Sequence, residues 1–304
     1  MAADVTVIGV GCEFDRLFGD QPPALPVPGP PERDDMQGML DSMAGPLRRG
    51  AAVIVVIAGW LPESSIRHIR TARALLDTAR VTLYVTELPP LAASAFAALA
   101  AALGPFAVSA GALAGSLWAI ERELYVLAWA GSVTRLQHPS VSLAHHARSL
   151  VPGSSFGIGI QPEPFVVPIS RVREELPLPA PDHPLELLVA PGDGGDLSWI
   201  VEEVAPRLGA AVHEVAPTMH GADWWGTSRL VEAVGLPSSI EWLAQAALAS
   251  DVAPCRWCGE LIPAAPCPFC GEAVGPRAQG GRRADGVGAD RIVQARAGPG
   301  ERDD

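Results

Sequence analysis

Residues 51–60, AAVIVVIAGW, are apolar at every position but the glycine and are rich in β-branched side chains. Alternate side chains of a strand point to opposite faces, so a strand with no polar face must be covered on both sides. Helices packed on both faces of a sheet give that cover. The rest of the chain contains the matching parts. Residues 4–11 (DVTVIGVG), 80–86 (RVTLYVT), 105–108, 124–130 (LYVLAWA), 185–190 (LELLVA) and 210–215 read as further strands. Helical patterns occupy 33–47, 64–79, 92–103, 109–120, 141–150, 196–208, 227–234 and 238–250, and residues 156–169 are extended and marked by proline. In the segment 64–79 the stripe Ile66, Ile69, Ala72, Leu75 and Leu76 faces away from the arginines. The expected fold is α/β: a mostly parallel sheet with helices on both faces over residues 1–250, with an irregular, cap-like insertion at 132–182. A proline-rich loop at 21–31 separates the first strand from the first helix, and no internal repeat is visible.

Composition removes several functions. The chain of 304 residues has 34 acidic against 22 basic side chains, a net charge of −12. That balance opposes docking on nucleic acid or anionic lipid, where affinity comes from cationic contacts to phosphate. There is no lysine and no asparagine. A phosphate-binding loop, a pyridoxal-type Schiff base and the protein-kinase catalytic set all need that lysine. The opening MAADVTVIGVGCEFD has no basic stretch of the secretory kind, so the expectation is a cytoplasmic protein. Residues 88–120 carry no charge and are long enough to span a bilayer. They are mostly alanine, broken at Gly104-Pro105 and unflanked by basic clusters, which reads as two core elements rather than a membrane span.

Function in open α/β sheets gathers at the carboxyl ends of strands. There the sequence places Gly59 and Trp60, Ser109 in AVSAG, Asp193 and Asp196 in PGDGGD, and His220 in PTMHGADWW. A serine nucleophile needs a base to take its proton and a carboxylate to orient that base. Over residues 51–250 this order resembles the α/β-hydrolase family. AAVIVVIAGW is similar to the strand before the oxyanion loop, RVTLYVTELPP to the strand after it, and FAALAAALGPFAVSAGALAG to the helix, strand and nucleophile elbow. LELLVAPGDGGD resembles the acid-bearing strand and loop, and AAVHEVAPTMHG the last strand with its histidine. The resemblance implies Ser109 as nucleophile, Asp193 or Asp196 as orienter, His220 as base, and the N–H groups of Trp60 and Ala110 as oxyanion hole. It departs from the family at Ala107, where the elbow has glycine, at Ala58-Gly59, where the family has histidine-glycine, and over residues 1–50. The plainer readings are that Ser109 and Asp196 cap their own helices, and that Trp224-Trp225 packs or floors a pocket.

Near the C-terminus, Cys255-Arg-Trp-Cys258-Gly and Cys267-Pro-Phe-Cys270-Gly form C-x2-C-x8-C-x2-C. Each pair turns two thiolates toward one metal, and the glycine after it takes a positive φ. Four thiolates suit zinc, with iron or two redox pairs as alternatives. The segment 251–274 resembles a short zinc ribbon, whose folding would rest on about 10 kcal/mol of metal binding. Its one basic residue, Arg256, faces Asp251, Glu260 and Glu272 in composition, which points to a structural or protein-docking role. Residues 275–304, poor in large apolar side chains, read as a disordered tail. Two functions follow as expectations: a serine hydrolase acting on an ester, thioester or amide through Ser109, or a non-catalytic α/β scaffold whose ribbon docks a protein partner.

Overall fold

A computed structural model describes residues 4–13, 36–169 and 176–273. The loop expected at 21–31 and the tail expected at 275–304 lie outside the described residues. The α/β class holds, with the strands divided between two main sheets and a small third one. The first sheet is parallel, in the order β1 (Val5–Val10), β2 (Ala52–Ala58), β3 (Val81–Thr86). The second is mixed. Its strands are β4 (Tyr125–Ala130), β5 (Phe156–Gln161), β6 (Phe165–Pro168), β7 (Leu185–Pro191), β8 (Ala211–Glu214) and β9 (Leu230–Pro237), in the order β6-β5-β4-β9-β7-β8. Only β7 and β8 pair in parallel there.

Strand β2 is buried along its whole length, as its sequence requires. Val53, Val55 and Ile57 meet the helices α1 (Met36–Arg48) and α2 (Glu63–Leu75), while Ile54 and Val56 meet the centre of the molecule. That centre is a helical layer: α3 (Pro90–Leu103) and α4 (Ala110–Arg122) lie in one cluster with side chains of both main sheets. Every residue of α3 except Leu99 and Ala102 is buried. A helix covered on both sides has no polar face to show, and alanine lets both sheets approach. The uncharged run 88–120 is therefore a helix pair, and among the described residues no helix is long and apolar enough to cross a membrane. The outer face of the second sheet is covered by a π-helical turn (Ile200–Val204) leading into α6 (Ala205–Leu208). Earlier in the chain, between β4 and β5, α5 (Leu143–Ser149) buries none of its residues.

Two expected elements changed type. Residues 105–108 are not a strand: Gly104–Phe106 forms a 3-10 turn joining α3 to α4, and Phe106 and Val108 face solvent. Residues 227–234, expected as helix, carry β9, which sits between β4 and β7. The glutamate in its middle, Glu232, mimics a polar face. In the fold that carboxyl points inward and is 2% exposed. It accepts hydrogen bonds from the Leu91 N–H at the start of α3 (3.3 Å), from Trp225 Nε1 (3.1 Å) and from the Thr218 hydroxyl. A buried carboxyl thus serves the first turn of a helix distant in sequence, where free N–H groups gather.

Candidate functional site

The knuckle residues come together. The four sulfurs of Cys255, Cys258, Cys267 and Cys270 all lie within 4.8 Å of one another. Cys255 and Cys270 Sγ are 3.6 Å apart, and Cys258 and Cys267 Sγ 3.7 Å. A tetrahedral site with zinc–sulfur bonds of about 2.3 Å needs sulfurs about 3.8 Å apart, so the cluster has the dimensions of a four-thiolate metal centre. Both knuckles close alike: Gly259 N donates to Cys255 O at 3.1 Å and Gly271 N to Cys267 O at 2.9 Å. Their glycines have φ of 77° and 76°, the left-handed turn expected of them. The N–H of Cys258, followed by that of Trp257, pulls the Cys255 pKa down to about 7, while burial pushes the Cys258 and Cys267 thiols up.

The ribbon is not a separate bead. Its strand β11 (Leu261–Ile262), paired with β10 (Ala253–Pro254), lies against α4, and Ile262 and Phe269 are buried in the central cluster. Arg73 donates to Phe269 O at 2.7 Å, and the Thr82 hydroxyl donates to Pro268 O. Most of the contact falls on the start of α4. The Glu260 carboxylate accepts from Gly111 N at 2.9 Å, and the Ser109 hydroxyl donates to Leu261 O at 2.8 Å. A Cβ on Gly111 would come within 2.1 Å of Leu261 O. Both glycines of AGALAG face the ribbon, since a Cβ on Gly115 would lie 2.7 Å from Pro263.

These contacts correct the hydrolase reading. Ser109 follows a 3-10 turn between two helices, not a strand, so there is no nucleophile elbow. Its backbone is extended (φ −159°, ψ 163°), and its Oγ accepts from Ala112 N at 2.9 Å as the N-cap of α4. Its proton is committed to Leu261 O. His220 lies elsewhere, its ring 4.8 Å from that of Trp60. Asp193 is exposed in the loop after β7, and Asp196 accepts from Ser198 N at 2.9 Å, binding its own turn. The Trp60 ring faces the histidine, and Ala110 is the first residue of α4. Ser109→Ala is accordingly expected to leave reactivity toward fluorophosphonates at background in both forms. It should lower stability by about 2 kcal/mol, the cap plus one hydrogen bond, read by chemical denaturation. Stoichiometric labelling of the wild type that disappears in the variant would reinstate an activated serine.

A cleft of about 530 Å³ opens at the carboxyl ends of the parallel strands. Trp60 and Pro62 come from the end of β2, and Glu87 from the end of β3. Gln137 and His138 follow β4, and His220, Asp223 and Trp224 belong to the start of α7 (Gly221–Trp225). The volume lies in the range of small-molecule sites. Glu87 is seated on Gly59, where a Cβ would lie 2.7 Å from the carboxylate. Behind the cleft Trp225 packs edge-on against Trp224 at 4.6 Å, and Glu232 holds Trp225 and Thr218. The indole N–H of Trp60 is buried and meets no acceptor among the described residues. The sequence reading placed Trp60 and His220 in a catalytic site and gave the Trp224-Trp225 pair as core packing or a pocket floor. It missed Glu87, Gln137, His138 and Asp223, for which only position after a strand gave any signal.

The fold and cleft define an α/β protein with an open cleft at a sheet end and a cysteine ribbon packed into its central layer. No family model matches the chain, nor does any curated protein sequence. Among solved structures it is similar to a DegV family protein from Corynebacterium glutamicum, at 13% identity and a TM-score of 0.48, over 78% of this chain and 97% of that one. A DegV family protein from Eubacterium eligens loaded with heptadecanoic acid aligns at 10% identity and TM-score 0.46, over 77% and 100%. The fatty acid kinase B3 protein of Streptococcus pneumoniae, loaded with linoleic acid, aligns at 13% and 0.46, over 79% and 100%. Two of these three proteins are described with a fatty acid bound, and none is described as a hydrolase.

Proposed function

We propose that this chain is a non-catalytic binding protein for a small amphiphile, seated in the cleft at the ends of β2 and β3. The observation that carries the reading is the lining itself: two indoles and a proline give apolar surface, while a few polar groups converge on the same space. Fatty acids, with which two of the structural neighbours are loaded, are the first ligands to try. The four cysteines are read as a zinc site of structural kind, since their spacing fits tetrahedral thiolate coordination.

Purified protein should carry a substoichiometric amphiphile, released on denaturation and identified by mass spectrometry. Titration of the stripped protein with that compound should change tryptophan emission. Trp60→Ala, which removes one wall, should weaken binding at least tenfold. Retention of full affinity by Trp60→Ala and by Trp224→Ala would place the ligand elsewhere and sink the proposal. Metal analysis of the same samples should return one zinc per chain.

A further inference from the structure

The cleft has an electrostatic character that its apolar walls do not require. Its lining includes two carboxylates, Glu87 and Asp223, and no arginine among the described residues. The chain has no lysine to offer. Glu87 is not a loose surface acid, because its carboxylate rests on the Gly59 backbone in space that any other residue would fill. Two more acids stand behind the same wall. Glu13 accepts from Met219 N at 3.0 Å, and Glu232 accepts from the Thr218 hydroxyl, so both hold the loop that presents His220. Such a concave site of one sign concentrates ligands of the other. The remaining walls are aromatic. Trp60 and Trp224 carry π-faces that attract a cation and gain nothing from an anion.

We propose that the cleft recognises the polar end of its ligand as an organic ammonium, held between the indoles of Trp60 and Trp224 and the carboxylates of Glu87 and Asp223. This rests on the reading of the cleft as the ligand site. It sets this chain apart from a receptor for a free carboxylate, whose head group would enter against two like charges with no guanidinium to meet it. Of the lining side chains only the imidazoles of His138 and His220 can become cationic, so Glu87 and Asp223 are the fixed charges of the lining.

The test uses the full chain and three probes of equal chain length below their micellar concentrations: octylammonium, octanoate and octanol. Calorimetric titration at neutral pH should give octylammonium at least a tenfold lower Kd than octanoate. The advantage should shrink as salt is raised, because both carboxylates are exposed. Glu87→Gln combined with Asp223→Asn should abolish the advantage while leaving octanol unchanged. Both substitutions lie on the cleft surface, and circular dichroism would verify the fold. Octanoate binding as tightly as octylammonium would overturn this inference and leave the binding reading standing. Silence from all three probes would overturn both.

Discussion

Removing metal from the ribbon is expected to lower the melting temperature of the whole α/β body by about 10 °C, rather than to unfold a C-terminal appendage alone. The reason is where the ribbon's apolar residues go. Ile262 and Phe269 are 0% and 2% exposed, and they are buried in the same cluster as α3, α4 and both main sheets. Each fully buried side chain of this size stabilises by about 2 kcal/mol. Losing two, at about 2–4 °C per kcal/mol in a chain of this size, gives the stated shift. The ribbon's own folding depends on its ligands, so a chelator or Cys255→Ser should produce the effect. Gly111→Ala offers an independent route: its Cβ meets the Leu261 carbonyl oxygen, so the ribbon is displaced while all four cysteines remain. Calorimetry with metal content measured on the same samples checks both. A melting temperature indifferent to chelation and to Gly111→Ala would show the ribbon to be thermodynamically separate.

Glu232→Ala should be the most damaging single change in the body of the protein, at about 4 kcal/mol. It strands three donors, the N–H of Leu91, the indole N–H of Trp225 and the Thr218 hydroxyl, in a buried setting. Each unsatisfied buried donor costs about 1–3 kcal/mol. Glu232→Gln keeps the shape and an accepting oxygen and should cost far less. The pair also predicts a pH dependence. Burial raises the Glu232 carboxyl above the ordinary glutamate value of 4.5, against its three hydrogen bonds and with the help of the Glu13 charge. Below that value folded and unfolded chains both hold the proton, and the contribution is fully present. As pH rises further the unfolded chain ionises first, so the folded chain holds more protons and stability falls until Glu232 itself ionises. Chemical denaturation should show that decline in the wild type and a flatter profile in Glu232→Gln. Identical profiles would mean that Glu232 ionises alike in the folded and unfolded chains.

Each of these effects couples segments far apart in the chain, and that is where sequence and structure part company. The strand in AAVIVVIAGW was legible because an all-apolar, β-branched run admits one environment. The knuckles were legible because C-x-x-C-G is a local device, its geometry fixed by four residues and a positive-φ glycine. Ser109 shows the limit. A serine before small residues suits a nucleophile elbow and a helix cap equally well at short range. What decides is whether a strand precedes it, and residues 105–108, too few and too exposed, turn instead. Glu232 shows the same limit in reverse, since a glutamate amid valines reads as a solvent-facing helix position until α3 brings its first turn overhead.

Local pattern, then, determined most of the strands, which helix lacks a polar face, and which cysteines come together. Tertiary packing alone decided that the strands divide into two sheets around a shared helical layer. It also decided that Ser109 and both glycines of AGALAG serve the ribbon, and that Trp60, Glu87, His220, Asp223 and Trp224 meet in one cleft. The physical reason is one of range: backbone propensity and side-chain periodicity act over a few residues, whereas a cleft or a helix cap supplied from another strand exists only once distant surfaces have been buried together.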